Sequence, residues 1–384
     1  MAWKDIIGHE KQIEMLRRAI KLQRLPNAYL FLGPKGIGKE AIALEVAKIL
    51  NCLSSEALER AEACGECESC KQAETLSHSN IELIFPSEKI LFEKTSDTSK
   101  EKEAALEQVK RLKELKIQNP YFSMRMDRAT GILVSQIDYI QEKALYKPRN
   151  GKKRVFIISQ AEELSRPQAA AANKLLKLLE EPPEYLHFIL VSAYPEQLLP
   201  TIISRCQPVR FTNLSNTVIE NRLREIGFGE TESAFAARFS RGNFNDALLL
   251  TEGKEAQASR DRAIEFLRAL LSKERQLGMI AISEDLSRRD KSRETQTNFL
   301  VSLLLVFEDA IRIISGKEKE DILNADQWES MQRFAKNFSG SDFEAASKYT
   351  EEAIRAITRN ANTLLVLLGL GLKLRKVIKP KTVL

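Results

Sequence analysis

The chain has 384 residues, 43% apolar and 29% charged, with a net charge of +6 and a pI near 8.9. That length implies two or three domains with ordinary cores. The composition excludes a fibrous, disordered or disulfide-stapled protein, and the mild positive charge permits contact with nucleic acid without arguing for it. No apolar signal segment opens Met1-Ala2-Trp3-Lys4-Asp5, and the runs near Phe299–Phe307 and Leu364–Leu372 are too short to cross a bilayer. A cytoplasmic protein with reduced or metal-bound cysteines is therefore expected.

After Trp3–Gly8, a helix from about Lys11 is predicted, with Ile13, Leu16, Ile20 and Leu22 on its apolar face. The apolar run Ala28–Leu32 reads as a buried strand and Ala41–Leu50 as a helix. Between them lies Gly33-Pro34-Lys35-Gly36-Ile37-Gly38-Lys39-Glu40. Strand, glycine loop and helix form the context of a phosphate-binding loop, with Gly33, Gly36 and Gly38 freeing backbone N–H groups and Lys39 reaching the outer phosphates. A glycine-rich turn with no ligand is the plainer alternative. The next position should carry a hydroxyl for Mg²⁺ but holds Glu40. A carboxylate about 4 Å from a phosphate charge costs about 4 kcal/mol at an effective dielectric near 20. ATP binding is left open, and hydrolysis is not expected.

Cys52, Cys64, Cys67 and Cys70 follow, two overlapping C-x-x-C steps joined to one upstream cysteine. Thiolates at that spacing can close a structural tetrathiolate zinc site, and a redox pair is the alternative. His78 is read as a surface or packing residue. Ile81–Phe85 is a second strand. From about residue 87 to 130 the composition turns toward Glu, Lys, Ser and Asp, with Leu106, Val109, Leu112 and Leu115 as a narrow stripe on a charged helix. This reads as a solvated surface insertion, or as a partner-docking helix.

Val134–Tyr146 is predicted helical, and residues 147–151 form a turn. Arg154–Ile158 is a central strand ending in Ser159-Gln160. An ATPase of this architecture carries there an acid for Mg²⁺ and a glutamate for water, and neither Ser159 nor Gln160 can serve. Glu162 and Glu163 come too late and are read as helix-cap or surface charges. A helix over Ala169–Glu181, a strand at Phe188–Ser192, and the edge strand Val209–Phe211 after Thr201-Ile202-Ile203-Ser204-Arg205-Cys206 complete the first domain. Three short helices are predicted over Asn216–Ile226, Glu230–Phe239 and Asn243–Glu252, and helices continue past Gly253 to about Lys376.

The order of Ile7-Gly8-His9, the glycine loop, the four cysteines, Asn173–Lys177 with Glu180-Glu181-Pro182-Pro183, and Ser204-Arg205-Cys206 resembles the AAA+ clamp-loader subunits of bacterial DNA polymerase III. The resemblance covers residues 3–212 and continues more weakly through Arg241–Leu248. It implies a RecA-like α/β domain over 1–212 with a zinc module at 52–70, a three-helix lid over 213–255, and an all-helical collar over 256–384 that holds subunits in a ring. Glu40, Ser159, Gln160 and Asn245, the last in place of a lid arginine, point to the non-hydrolysing delta-prime kind. A gamma/tau-like motor is the alternative. The resemblance also implies that Arg205 is an arginine finger in a neighbour's ATP site; a strand-edge salt bridge is the plain reading. It further implies gamma/tau and delta subunits as partners, with the sliding clamp and primed DNA reached through the complex. A bare DNA-binding protein is disfavoured, because no dense Arg/Lys run with aromatics is present.

Overall fold

The computed structural model describes residues 2–92, 99–149, 152–165, 169–252, 254–272, 276–288, 293–319, 322, 324, 327–358 and 361–379. Residues 93–98 of the predicted insertion, Asn150 and Gly151 of the predicted turn, and Gly253 lie outside them. The chain divides into two compact units: residues 1–222 with 241–246, and residues 223–240 with 247–384.

In the first unit, α1 (Glu10–Lys21) buries Leu16 and Ile20, while Leu22 falls just past its end and is exposed. Strand β1 (Ala28–Leu32) leads through the glycine loop into α2 (Lys39–Asn51). The short α3 (Ala57–Arg60) and α4 (Glu68–Glu74) carry the cysteine segment. Strand β2 (Ile81–Ile84), α5 (Lys100–Gln118), α6 (Val134–Ala144), β3 (Arg154–Ile158), α7 (Ala170–Glu180), β4 (Leu186–Ser192), α8 (Pro200–Ile203) and β5 (Gln207–Arg210) follow. The strands form one parallel sheet in the order β2-β3-β4-β1-β5. Strands β1, β3 and β4 are buried at every residue, which explains their unbroken apolar runs. Phe156 stacks on Phe188 between β3 and β4, and Leu30, Ile158, Leu175 and Leu190 extend the same core. The loops at the C-terminal ends of β1 and β3 form the site, the place where open α/β sheets bind ligands.

The segment around α5 is not a solvated insertion. Phe85, Ala105, Leu112, Met124 and Met126 make a small core of their own. The buried face of α5 runs Ala105-Leu112-Lys116 with Val109 beside it, whereas Leu106 and Leu115 of the expected stripe are exposed. The period is helical as predicted, and its phase is rotated because a lysine occupies the last inward position.

Helices α9 (Asn216–Ile226), α10 (Glu230–Phe239) and α11 (Phe244–Glu252) match the three short helices expected. The second unit continues with α12 (Lys254–Leu271), α13 (Gln276–Ser287), α14 (Arg293–Ile314), α15 (Trp328–Asn337), α16 (Phe343–Thr358) and α17 (Thr363–Val377). Phe266, Phe299, Leu303, Phe307, Leu367 and Leu374 build its core around α14. Among the described residues, no helix is long and apolar enough to cross a membrane.

Candidate functional site: a self-engaged glycine loop

The loop has the backbone that its glycines predict. Gly36 and Gly38 have φ of 67° and 102°, in the left-handed region that disfavours a side chain. A Cβ on Gly38 would stand 2.8 Å from the Tyr121 ring, and one on Gly36 would overlap the Asn243 side chain. Tyr121 is fixed by accepting the Ile7 N–H (2.9 Å) and by an edge contact with Phe244. The backbone N–H of Phe244 donates to Gly36 O (3.0 Å).

Lys39 does not reach outward. Its ammonium donates to Gly33 O (2.6 Å) and to Pro34 O, and burial pulls its pKa down to about 8 despite Glu40 and Glu162 nearby. Glu40 is buried and fully partnered. Its Oε2 accepts from Lys116 Nζ (2.5 Å), and its Oε1 accepts from Ser123 Oγ (2.9 Å) and Ser159 Oγ. Burial alone would raise this carboxyl; the Lys116 charge and the three hydrogen bonds outweigh it and hold the group below the ordinary glutamate range.

The two positions after β3 are also engaged. Ser159 donates to Glu40, as above, while Gln160 donates to Met124 O (2.9 Å) and accepts from Arg125 Nη1 (3.4 Å). Glu162 and Glu163, expected as helix-cap or surface charges, lie in the first turn of a short 3-10 helix (Ala161–Ser165) and are buried rather than on the surface; Glu163 pairs with Arg125 at 3.1 Å. Glu162 lines the small cavity beside Lys35, Lys39 and Gln160, and its Oε2 has no hydrogen-bond partner among the described residues. Asn245, at the place of the expected lid arginine, accepts from Asn119 Nδ2 (2.8 Å). The sequence offered no direct sign of Lys116, Tyr121, Ser123 or Arg125. The one signal available was a lysine continuing the buried stripe of α5.

The four cysteines do come together. The sulfur atoms of Cys52, Cys64, Cys67 and Cys70 lie within 4.8 Å of one another, with Cys52–Cys64 at 3.5 Å and Cys64–Cys70 at 3.9 Å. Tetrahedral thiolates at a Zn–S distance of about 2.3 Å stand roughly 3.8 Å apart, so this donor set fits zinc. Backbone N–H groups of Leu53, Cys64 and Cys67 point at the sulfurs at 3.3–3.5 Å, as anionic thiolates require. The N–H groups of Cys67 and Glu66 pull the Cys64 thiol down to about 6, while burial pushes Cys52 and Cys70 up. His78 is a packing residue: its Nε2 meets Ser69 Oγ (2.9 Å), which donates to Asn51 O.

Arg205 lies apart from the loop, at the corner between α8 and β5. Its side chain is 33% exposed, bonded to Glu180 Oε1 (2.5 Å) and to Thr201 O (3.0 Å). Cys206 beside it is buried and its thiol is pushed up to about 12, which makes it unreactive.

The chain is 28% identical over 336 residues to the DNA polymerase III subunit delta' of Bacillus subtilis, covering 87% of each chain. It is 31% identical over 266 residues to the tau/gamma subunit of Haemophilus influenzae, covering 68% of this chain but 31% of that relative. The chain thus spans about a third of the tau/gamma relatives it matches. A solved gamma subunit-related protein of Thermotoga maritima aligns over 96% of this chain and 100% of its own, at 17% identity and a TM-score of 0.42. The family described as "DNA polymerase III, delta subunit" matches residues 8–215, more than half of the sequence. The chain therefore belongs to that family, as a clamp-loader subunit of the delta-prime type.

Proposed function

We propose that this clamp-loader subunit hydrolyses no ATP itself, braces the assembly, and presents Arg205 as an arginine finger to the ATP site of an adjacent gamma/tau-type subunit. The observation that carries the reading is Glu40. A carboxylate stands where the hydroxyl that holds Mg²⁺ belongs, and Lys116, Ser123 and Ser159 already use both of its oxygens. With no acid at Ser159 and no base at Gln160, the two positions after β3 neither hold the metal nor activate water. Arg205 by contrast sits at a partly exposed corner, where a neighbour could exchange Glu180 for a phosphate. A planar guanidinium suits that contact, and such fingers contribute about 10³–10⁵ in rate.

The remaining parts follow from the same reading. Cys52, Cys64, Cys67 and Cys70 hold a structural zinc ion; 213–255 is a lid and 256–384 a collar. Partners are the gamma/tau and delta subunits in the cytoplasm, and through them the sliding clamp and primed DNA. Replacing Arg205 by Ala should leave assembly intact and lower the DNA-stimulated ATPase of the reconstituted complex. Unchanged ATPase and clamp loading would remove the finger assignment.

A gamma/tau-like motor is the second reading, supported by one observation. Glu162 lines the cavity beside Lys39, one of its buried oxygens has no hydrogen-bond partner among the described residues, and it offers a carboxylate that could ligate a metal. Turnover of Mg²⁺-ATP by the isolated chain is expected only under this second reading.

A further inference from the structure

The segment from Lys116 to Arg125 packs, within the first unit, against Gly38, Glu40 and Gln160, positions at which a working phosphate-binding loop meets its ligand, its metal and its water. An ammonium has three protons to donate. Those of Lys116 go to Glu40 Oε2 (2.5 Å), Pro120 O (2.9 Å) and Phe122 O (2.5 Å), so the cation is fully satisfied and 2% exposed. Tyr121 lies against Gly38, where the loop backbone would approach a phosphate. Ser123 completes the acceptor set of Glu40, and Met124 and Arg125 hold Gln160 at the end of β3. Every contact comes from one stretch of ten residues at the end of α5.

We infer that residues 116–125 are a tethered occupant of the nucleotide site, in which the Lys116 ammonium replaces the metal ion as the counter-charge at the start of α2. Three arguments support this. A solvated insertion would leave Lys116 in water, whereas its charge is buried against a buried carboxylate. Neither charge is tolerable there alone, since an unpaired buried ion carries a large desolvation cost. Finally, Lys39 has turned back onto Gly33 O and Pro34 O, the arrangement of a loop closed on itself. For ATP to enter, Lys116 would have to leave Glu40, Tyr121 would have to leave Gly38, and Lys39 would have to leave its carbonyls. The insertion thus keeps the loop folded without nucleotide. This concerns the chain alone and holds whether or not Arg205 is a finger.

The test uses the full chain and no partner subunit. Thermal unfolding is compared for wild type, Lys116→Met and Lys116→Met/Glu40→Gln, and a fluorescent ATP analogue is titrated with Mg²⁺ into wild type. Lys116→Met should lower the midpoint by roughly 5 °C or more, because Glu40 is left buried and unpaired. The double variant should regain most of that loss, since neither charge remains. Wild type should show no saturable binding, and hydrogen exchange at residues 116–125 should be unchanged by millimolar Mg²⁺-ATP. The exchange measurement stands even if Lys116→Met does not fold. Saturable binding that deprotects 116–125, or a Lys116→Met midpoint equal to wild type, overturns the inference.

Discussion

Replacing Glu40 by Gln isolates the charge at the heart of the loop. The amide keeps the volume, and its oxygen can still accept from Ser123 and Ser159. Lys116 keeps the carbonyls of Pro120 and Phe122 but loses its carboxylate partner, and the Glu40 and Lys116 side chains are 8% and 1% exposed. Removing one partner of a buried ion pair costs about 3–5 kcal/mol, because the other charge stays behind in a dry site. With a urea m-value of about 2–3 kcal/mol/M, that is a midpoint shift of about 1–2.5 M. The chain has two tryptophans. Trp3 is buried in the first unit and Trp328 packs in the second, so a Trp328→Phe background lets fluorescence follow the relevant unit. The pH dependence gives a second check. The Glu40 carboxyl is held below its ordinary range in the folded chain. Its contribution is therefore complete above the unfolded value of about 4.3 and is lost as pH falls through the lower folded value. The gap between wild type and Glu40→Gln should be full at pH 7 and close under strongly acidic conditions. A gap below about 1 kcal/mol at pH 7, or one that widens on acidification, would refute the buried-pair account.

Three further outcomes are expected. Wild type should purify with stoichiometric zinc and Cys64→Ser without it, as read by elemental analysis; a metal-free wild type, or retention of stoichiometric metal by the variant, would contradict the tetrathiolate. Glu180→Ala should cost less than about 1 kcal/mol in chemical unfolding, because its pair with Arg205 is partly exposed and screened; a larger loss would make that pair structural. Gly38→Ala should destabilise the first unit by about 1–3 kcal/mol, from its positive φ and the 2.8 Å approach to Tyr121, with part of the loss relieved by Tyr121→Ala. Full additivity of those two substitutions would contradict the close packing of Tyr121 on the loop.

Much of the site was legible because it is local. Gly33–Lys39 follows a buried apolar strand and opens a helix, and the cysteine spacing lies within a single stretch, so neighbouring residues carried the signal. Glu40 itself was legible as a chemical misfit. Its solution was not, because Lys116 lies 76 residues away and pairs only through the tertiary fold. The helix α5 shows the cause in miniature. A stripe of Leu106, Val109, Leu112 and Leu115 follows from counting apolar side chains, but the inward face is Ala105, Val109, Leu112 and Lys116. A charged residue that is buried with a partner defeats any reading based on hydrophobicity. Glu163, expected as a helix-cap or surface charge, is buried against Arg125 and escaped the reading for the same reason. Arg205 was easy to find and hard to interpret, since an exposed ion pair with Glu180 looks the same whether or not a neighbour later claims the arginine.

The most direct test of the central claim is ATP turnover, measured for the isolated chain and for a gamma/tau-type subunit with increasing amounts of the chain added. The account predicts no turnover by the chain alone and a saturating rise in the partner's DNA-stimulated rate. Turnover by the isolated chain would contradict it, and would mean that the loop closed by Lys116 and Glu40 opens to nucleotide after all.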